Sequence, residues 1–341
     1  MKICYARLRS NVNYIEPLEY IMDSYFELQR DYYNRHKTNP NVEFSFYNMG
    51  FNFKPKRDLE AIQGADYIII PSEAEFQYHI PGFIHTLDKK RSDETVKLVY
   101  SNIKPSAKII ILQSDHKDNP DLYKKYTFPG IQNEIFAIQE DHFTGSVAAM
   151  RYYFIEEYLD SCLDSSIIKE HDFCYFGTDK SRDVGGGKSF DERKDVIKKL
   201  RKDEGISSFY IGRFSGLEMD MKFTKKMKDL LPHLFASRST LCFNWPDQKK
   251  TPTARYSEAI ACRMIPFVWK DYDEDNRVVS FDWQRCRSVE EAAKKIKEIS
   301  NPEIYEQKYN EIREDFIKNK IRPKTEYYDM FENLMAKYIK I

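Results

Sequence analysis

Three stretches of the 341-residue chain carry side chains whose types and spacing suit chemistry. The first is Phe176-Gly-Thr-Asp-Lys-Ser-Arg-Asp-Val-Gly-Gly-Gly-Lys-Ser-Phe-Asp-Glu-Arg193, which holds four of the chain's 12 glycines. It follows a β-rich run and leads into a helical one. Free backbone N–H groups at such a turn, with Lys180, Arg182, Lys188 and Arg193 beside them, can hold a diphosphate. A Walker motif does not fit, because position 182 is arginine where the spacing asks for glycine. The alternative is a surface loop with incidental charge. In the second stretch, Thr251 to Trp269, Arg255 and Glu258 stand three apart and share one face of a helix. A carboxylate at a helix start can accept hydrogen bonds from both hydroxyls of a ribose, and a neighbouring guanidinium can pair with phosphate. A local ion pair on a surface helix would explain the same spacing. The third stretch, Lys108-Ile-Ile-Ile-Leu-Gln-Ser-Asp-His-Lys117, is an apolar strand ending in Asp115 and His116. A carboxylate there can serve as general base towards an acceptor hydroxyl, or simply cap the next turn.

These side chains need elements to position them. Short apolar runs at Lys2–Leu8, Val42–Asn48, Asp66–Pro71 and Ala107–Gln113 alternate with longer amphipathic stretches such as Tyr14–Arg35. The pattern restarts after Ser165, with strands expected at Phe173–Phe176, Ser208–Ile211, Thr240–Asn244 and Ile265–Trp269. Helices are expected at Arg193–Lys202, Arg255–Cys262, Val289–Ile299 and Ile304–Lys318. Strands that alternate with helices imply parallel sheets. Two such blocks imply an α/β chain with two Rossmann-like lobes whose parallel sheets face a central cleft, where ligands sit beyond the C-terminal strand ends. The organisation expected is an N-terminal lobe over 1–165, a C-terminal lobe over 166–320 and a terminal segment over 321–341. That last segment carries Tyr327, Met330, Phe331, Leu334, Met335 and Tyr338 at helical spacing and must dock an apolar face.

Composition narrows the function classes. Aromatic residues make up 15% of the chain, which supports sizeable cores. The mean hydropathy of −0.67, with no apolar run near ~20 residues, gives no membrane span. The six cysteines include no C-x-x-C pair, so free thiols in a reduced, intracellular protein are expected. The seven histidines are scattered, and no metal-ligand spacing is found. With 54 basic and 54 acidic residues the net charge is zero, which argues against simple adsorption to a polyanion. Divided at Ser165, however, the chain carries 19 basic against 24 acidic residues before and 35 against 30 after. The basic surplus falls around the glycine-rich stretch, which confines any polyanion contact to a local site.

Taken in order, the three stretches resemble GT-B glycosyltransferases, and within them the DNA glucosyltransferases of T-even bacteriophages. Ser101-Asn-Ile-Lys-Pro-Ser-Ala-Lys-Ile-Ile-Ile-Leu-Gln-Ser-Asp-His116 is similar to a segment of the retaining α-enzyme, as is Ser257-Glu-Ala-Ile-Ala-Cys-Arg-Met-Ile-Pro-Phe-Val-Trp-Lys270. Arg255-x-x-Glu258, the basic loop ending in Glu192-Arg193, and Asp247-Gln-Lys-Lys250 are similar to the inverting β-enzyme. The run Lys318–Ile341 resembles the family's last helices, which return to the N-terminal lobe. Two features depart from the pattern. Lys180–Lys188 is longer than the β-enzyme's basic loop, and Arg263 stands where glycine is common, which bears on donor-sugar fit.

The resemblance implies a UDP-sugar donor in the C-terminal lobe and double-stranded DNA containing 5-hydroxymethylcytosine as acceptor. The sugar would be glucose or a relative such as arabinose, and the modification would protect phage DNA from host nucleases. It implies Glu258 on the ribose, Arg255 and Arg193 on the diphosphate, and Lys180, Arg182 or Lys188 as further phosphate ligands. Asp115 would be the general base of an inverting reaction, or would orient the substrates of a retaining one. His116 and Lys117 are candidates for DNA contact. No cofactor is required by this chemistry, although Mg2+ or Mn2+ assisting diphosphate release accords with the family. The protein is expected to act as a monomer in the cytoplasm of the infected bacterium, without membrane contact. Two rival readings stand beside this one. One is a fucosyltransferase-like GT-B enzyme acting on a polysaccharide or small molecule; the other is a non-catalytic nucleotide- or DNA-binding protein.

Overall fold

The apolar runs form parallel strands in the computed structural model, which describes residues 1–7, 31–48, 53–70, 89–113, 134–139, 168–178, 187–214, 216–222, 227–244, 253, 255–320 and 324–341. The first unit is built on β1 (Lys2–Arg7), β2 (Glu43–Asn48), β3 (Tyr67–Ile70), β4 (Lys108–Gln113) and β5 (Glu134–Gln139). They make one five-stranded sheet in the order β2-β1-β3-β4-β5, with every pair parallel. Ile109, Ile110, Ile111 and Leu112 of β4 are all buried, so side chains on both faces of the strand are covered. That double burial is why the sequence reads as an unbroken apolar run rather than an alternating one. One face packs with Ile62 at the end of α1 (Pro55–Ile62) and Val99 of α2 (Lys89–Asn102).

The second unit repeats the plan. Its strands are β6 (Phe173–Thr178), β7 (Ser208–Arg213), β8 (Ser239–Cys242), β9 (Ile265–Trp269) and β10 (Arg285–Cys286). β6 pairs with β7, and β8 and β10 flank β9, again all parallel. A parallel bridge between His171 and Ser237 joins the chain just before β6 to the chain just before β8. The helices are α3 (Gly187–Arg201), α4 (Met227–Phe235), α5 (Arg255–Ala261), α6 (Val289–Glu298) and α7 (Pro302–Asp315). Ser288 and Asn301 cap α6 and α7 with side-chain oxygens that accept from backbone N–H groups of the first turn.

At the start of this unit, Lys169 ties three segments together. Its Nζ donates to the carbonyls of Phe235 (2.7 Å), Ser237 (2.7 Å) and Arg263 (2.9 Å). Three ammonium donors thus meet three acceptors ahead of β8 and β9. Burial is the main force pushing this ammonium down to about 7.

The chain divides into two compact units, and the C-terminal Thr325–Ile341 belongs to the first although Ser146–Lys324 belongs to the second. α8 (Lys324–Met335) buries Tyr327, Phe331, Leu334 and Met335, four of the positions expected on its apolar face. It docks on helical residues 31–36: Phe331 meets Tyr32 edge-on at 5.8 Å, Arg35 pairs with Asp329 at 3.0 Å, and His36 Nε2 lies 2.7 Å from Glu332. Most of the expected helix Tyr14–Arg35 lies outside the described residues. The helices α1 and α2 and the strand β5 were not expected from the sequence. α2 is polar over most of its length, and β5 is a run of only six residues.

Candidate active site

Of the side chains that sequence spacing singled out, Arg193 stands on α3, which follows β6, and Arg255 and Glu258 on α5, which follows β8. Phe176 closes the hydrophobic part of β6, and Gly177 lies opposite Gly212 of β7 in the strand register. Gly212 takes a φ of +138°, and a Cβ built there would stand 1.7 Å from the Gly177 carbonyl oxygen. Only glycine satisfies both conditions. The two backbones approach at this strand end without side chains between them.

α5 begins directly at this edge. Its entry is fixed by Tyr272, whose hydroxyl accepts from the Thr253 N–H (2.8 Å) and donates to the Thr253 carbonyl (3.1 Å). Arg255 Nη1 reaches Glu258 Oε2 at 3.0 Å, and the Arg255 guanidinium lies 3.7 Å from the centre of the Phe176 ring. The i,i+3 ion pair foreseen as the plainer alternative is therefore present, but it is part-buried, with the guanidinium packed on an aromatic face. Oε1 of Glu258 has no hydrogen-bond partner among the described residues.

α3 supplies the second cation. Arg193 sits over the Phe214 ring at 5.6 Å. Its neighbour Glu192 accepts from Lys270 Nζ (2.7 Å) and Trp269 Nε1 (3.2 Å) at the end of β9. This clasp holds the Glu192 carboxyl below its usual range, chiefly through the Lys270 hydrogen bond. It also fixes the second turn of α3 against β9. Sequence reasoning had no signal for it, because its partners are far apart in the chain.

Both guanidiniums neighbour the end of β6: Arg193 lies over Phe214, whose ring meets Tyr175 edge-on at 5.4 Å, and Arg255 lies over Phe176. Burial raises the Tyr175 phenol, and the two guanidiniums pull it back down. Glu258, Arg255 and Arg193 are thus gathered at one strand edge. Lys188 lies in the first turn of α3, where the backbone alone is described. Lys180, Arg182, Asp115, His116 and Lys117 lie outside the described residues, with β4 followed as far as Gln113.

Arg263 occupies the left-handed conformation (φ 55°) after α5, which explains why glycine suits that position. Its carbonyl accepts from Lys169 and from the Tyr305 hydroxyl, and its guanidinium faces Glu306 and Tyr309 of α7. It precedes β9, at the opposite end of that strand from Trp269.

Five cysteines, Cys4, Cys174, Cys242, Cys262 and Cys286, are buried free thiols, and burial pushes Cys174 up to about 12. Cys162 lies outside the described residues. Among the described residues no group of three or more His, Cys, Asp or Glu side chains is placed to hold a metal ion, and no helix is long and apolar enough to cross a membrane.

No protein-family model matches the chain, nor does any curated protein. Solved structures do match. One is an alpha-glucosyltransferase in complex with UDP and a 13-mer DNA containing an HMU base, with a TM-score of 0.60 and 15% identity over 98% of this chain and 99% of that one. A second is the T4 phage beta-glucosyltransferase with its UDP-glucose substrate, with a TM-score of 0.60 and 12% identity over all of both chains. The same phage enzyme with UDP and Mn2+ also matches over its full length, with a TM-score of 0.57 and 12% identity. The chain is therefore similar over its whole length to these glucosyltransferases and has their fold, the GT-B class.

Proposed function

We propose that this protein transfers a sugar from a UDP-sugar to the hydroxymethyl group of 5-hydroxymethylcytosine in double-stranded phage DNA, in the cytoplasm of the infected bacterium. The observation that carries the reading is the gathering of Arg193, Arg255 and Glu258 at one strand edge of the second unit. It is supported by a fold shared end to end with enzymes seen with UDP, UDP-glucose and DNA.

Each group has a part in the chemistry. Oε1 of Glu258 accepts hydrogen bonds from the ribose hydroxyls. Arg255 and Arg193 face the diphosphate and stabilise the negative charge that grows as the glycosidic bond to phosphate breaks. Aromatic packing under both guanidiniums holds them in place before the ligand arrives, so little is lost in ordering them. The acceptor hydroxyl must lose its proton as it attacks, and Asp115, just beyond β4, is the base assigned to that step in an inverting reaction. A hydroxymethyl group inside a duplex cannot reach a buried anomeric carbon, so the modified base leaves the stack. Glu192 and Glu258 are each paired with a cation, Lys270 and Arg255. The catalytic charge balance proposed here rests on the guanidiniums.

The test is to incubate the protein with UDP-glucose and other UDP-sugars and with DNA containing either 5-hydroxymethylcytosine or cytosine. Digestion and mass spectrometry of the nucleosides should show a hexose or pentose mass on the hydroxymethylated base alone. No added mass with any donor would remove the DNA-modifying reading. Transfer to an oligosaccharide in place of DNA would favour the fucosyltransferase-like alternative.

A further inference from the structure

We infer that the Tyr175 hydroxyl is a third diphosphate-binding group, at the same strand end as Arg193 and Arg255. This assignment rests on the reading of the strand edge as a nucleoside-diphosphate site. On a β-strand, residues two apart share a face, so Tyr175 and Gly177 point the same way. Because residue 177 has no Cβ, the Tyr175 ring lies along the strand towards its C-terminal end. Its hydroxyl comes to rest 3.0 Å from where a Cβ of residue 177 would stand. The ring is fixed by edge-on contacts with Phe214 (5.4 Å) and Phe243 (6.3 Å), and the residue is 4% exposed. No hydrogen bond from its hydroxyl is seen among the described residues, and the hydroxyl is not one of the buried polar atoms left without a partner.

What surrounds that hydroxyl determines what it awaits. Guanidinium groups donate and never accept, so Arg193 and Arg255 cannot use the phenol proton. A phenol at the same strand end as two such donors can share with them an anionic oxygen that accepts from all three. Burial keeps the phenol protonated and therefore a donor. Phosphate oxygens of a nucleoside diphosphate meet this need, and the neutral ribose and base do not.

The experiment compares the parent with Tyr175→Phe in calorimetric titrations with UDP and with uridine. Since the hydroxyl has no partner among the described residues, its removal should leave the melting temperature within about 2 °C of the parent. UDP affinity should fall about ten- to hundredfold, the usual span for a hydrogen bond to a charged group, while uridine affinity stays unchanged. Gly177→Ala crowds the hydroxyl from the other side, leaves the phenol intact, and should reproduce the selective loss for UDP. A parent that binds UDP, with Tyr175→Phe binding it equally well, overturns the assignment and leaves the nucleotide reading standing. An equal loss for uridine and UDP also overturns it, because the contact would then lie away from the phosphates. A parent that binds neither ligand overturns the nucleotide reading itself, and the tyrosine's role with it.

Discussion

Replacing Lys169 with methionine should destabilise the second unit far more than a part-exposed lysine ordinarily would. Methionine keeps the length and volume of the side-chain stem and removes all three donors. The Arg263 carbonyl retains its hydrogen bond from the Tyr305 hydroxyl, whereas those of Phe235 and Ser237 lose the lysine donor. Two carbonyls deprived of a partner cost about 1–3 kcal/mol each. Relief from burying a charge returns part of that, for a net loss of about 3 kcal/mol. For a unit of this size, each kcal/mol lowers the melting temperature by roughly 2–4 °C, so a fall of about 6–12 °C is expected in scanning calorimetry. The pH dependence follows from the same site. Burial places the folded-state value at about 7, below the 10.5 of a free lysine. Between those values the unfolded chain binds the extra proton. The parent should therefore gain stability relative to K169M as pH rises from about 7 towards 10. An unchanged melting temperature in K169M, or a gap that narrows over that window, would falsify the picture of one buried lysine nitrogen tying three segments together.

Four other changes test the remaining structure. Glu258→Ala should raise the donor KM about a hundredfold by removing charged acceptors for two ribose hydroxyls, read in steady-state kinetics with UDP-glucose; parent-like KM would end the ribose role. Asp115→Ala should lower transfer by roughly two to four orders of magnitude while UDP binding by calorimetry holds, the signature of a lost base. Gly212→Ala forces a Cβ onto the Gly177 carbonyl at a φ of +138°. It should cost more than about 4 kcal/mol, seen as lost soluble yield or a collapsed thermal transition. Asp220 accepts from both Arg201 nitrogens (2.7 and 2.8 Å) and from the Tyr210 N–H (2.7 Å), and the Arg201 hydrogen bond holds its carboxyl below the usual value. Its stabilisation is present above about pH 4 and lost as pH falls through the depressed folded value. Asp220→Asn should cost about 2 kcal/mol at pH 7, and urea midpoints of the two proteins should converge in acid.

Much of the strand framework was legible because buried parallel strands leave long apolar marks. β9 spans the expected Ile265–Trp269, and β4 and β2 each begin one residue inside the expected run. The Arg255–Glu258 pair was legible because helical spacing is local, and its neighbours in sequence are its neighbours in space. Tyr175 was not legible, since its role depends on the missing side chain at residue 177 and on cations from two other elements. Lys169 gave no sign either, because its acceptors are backbone carbonyls 66 to 94 residues away. α1 and α2 escaped for a different reason. Their buried positions are few, Asp58 and Ile62 in α1, so the sequence shows little apolar periodicity there.

The helix at the end of the chain has a consequence for how the protein is made. Tyr327, Phe331, Leu334 and Met335 complete the core of a unit whose sheet comes from the first 139 residues. Domains generally fold in the order in which they emerge from the ribosome. Here that order is reversed at the finish. The second unit has its α7 and the turn that follows it before the first has received α8, so the earlier-synthesised unit is the later one to close. A nascent chain paused before α8 is made would carry a finished second unit and a first unit with Tyr32 and the face around it still bare.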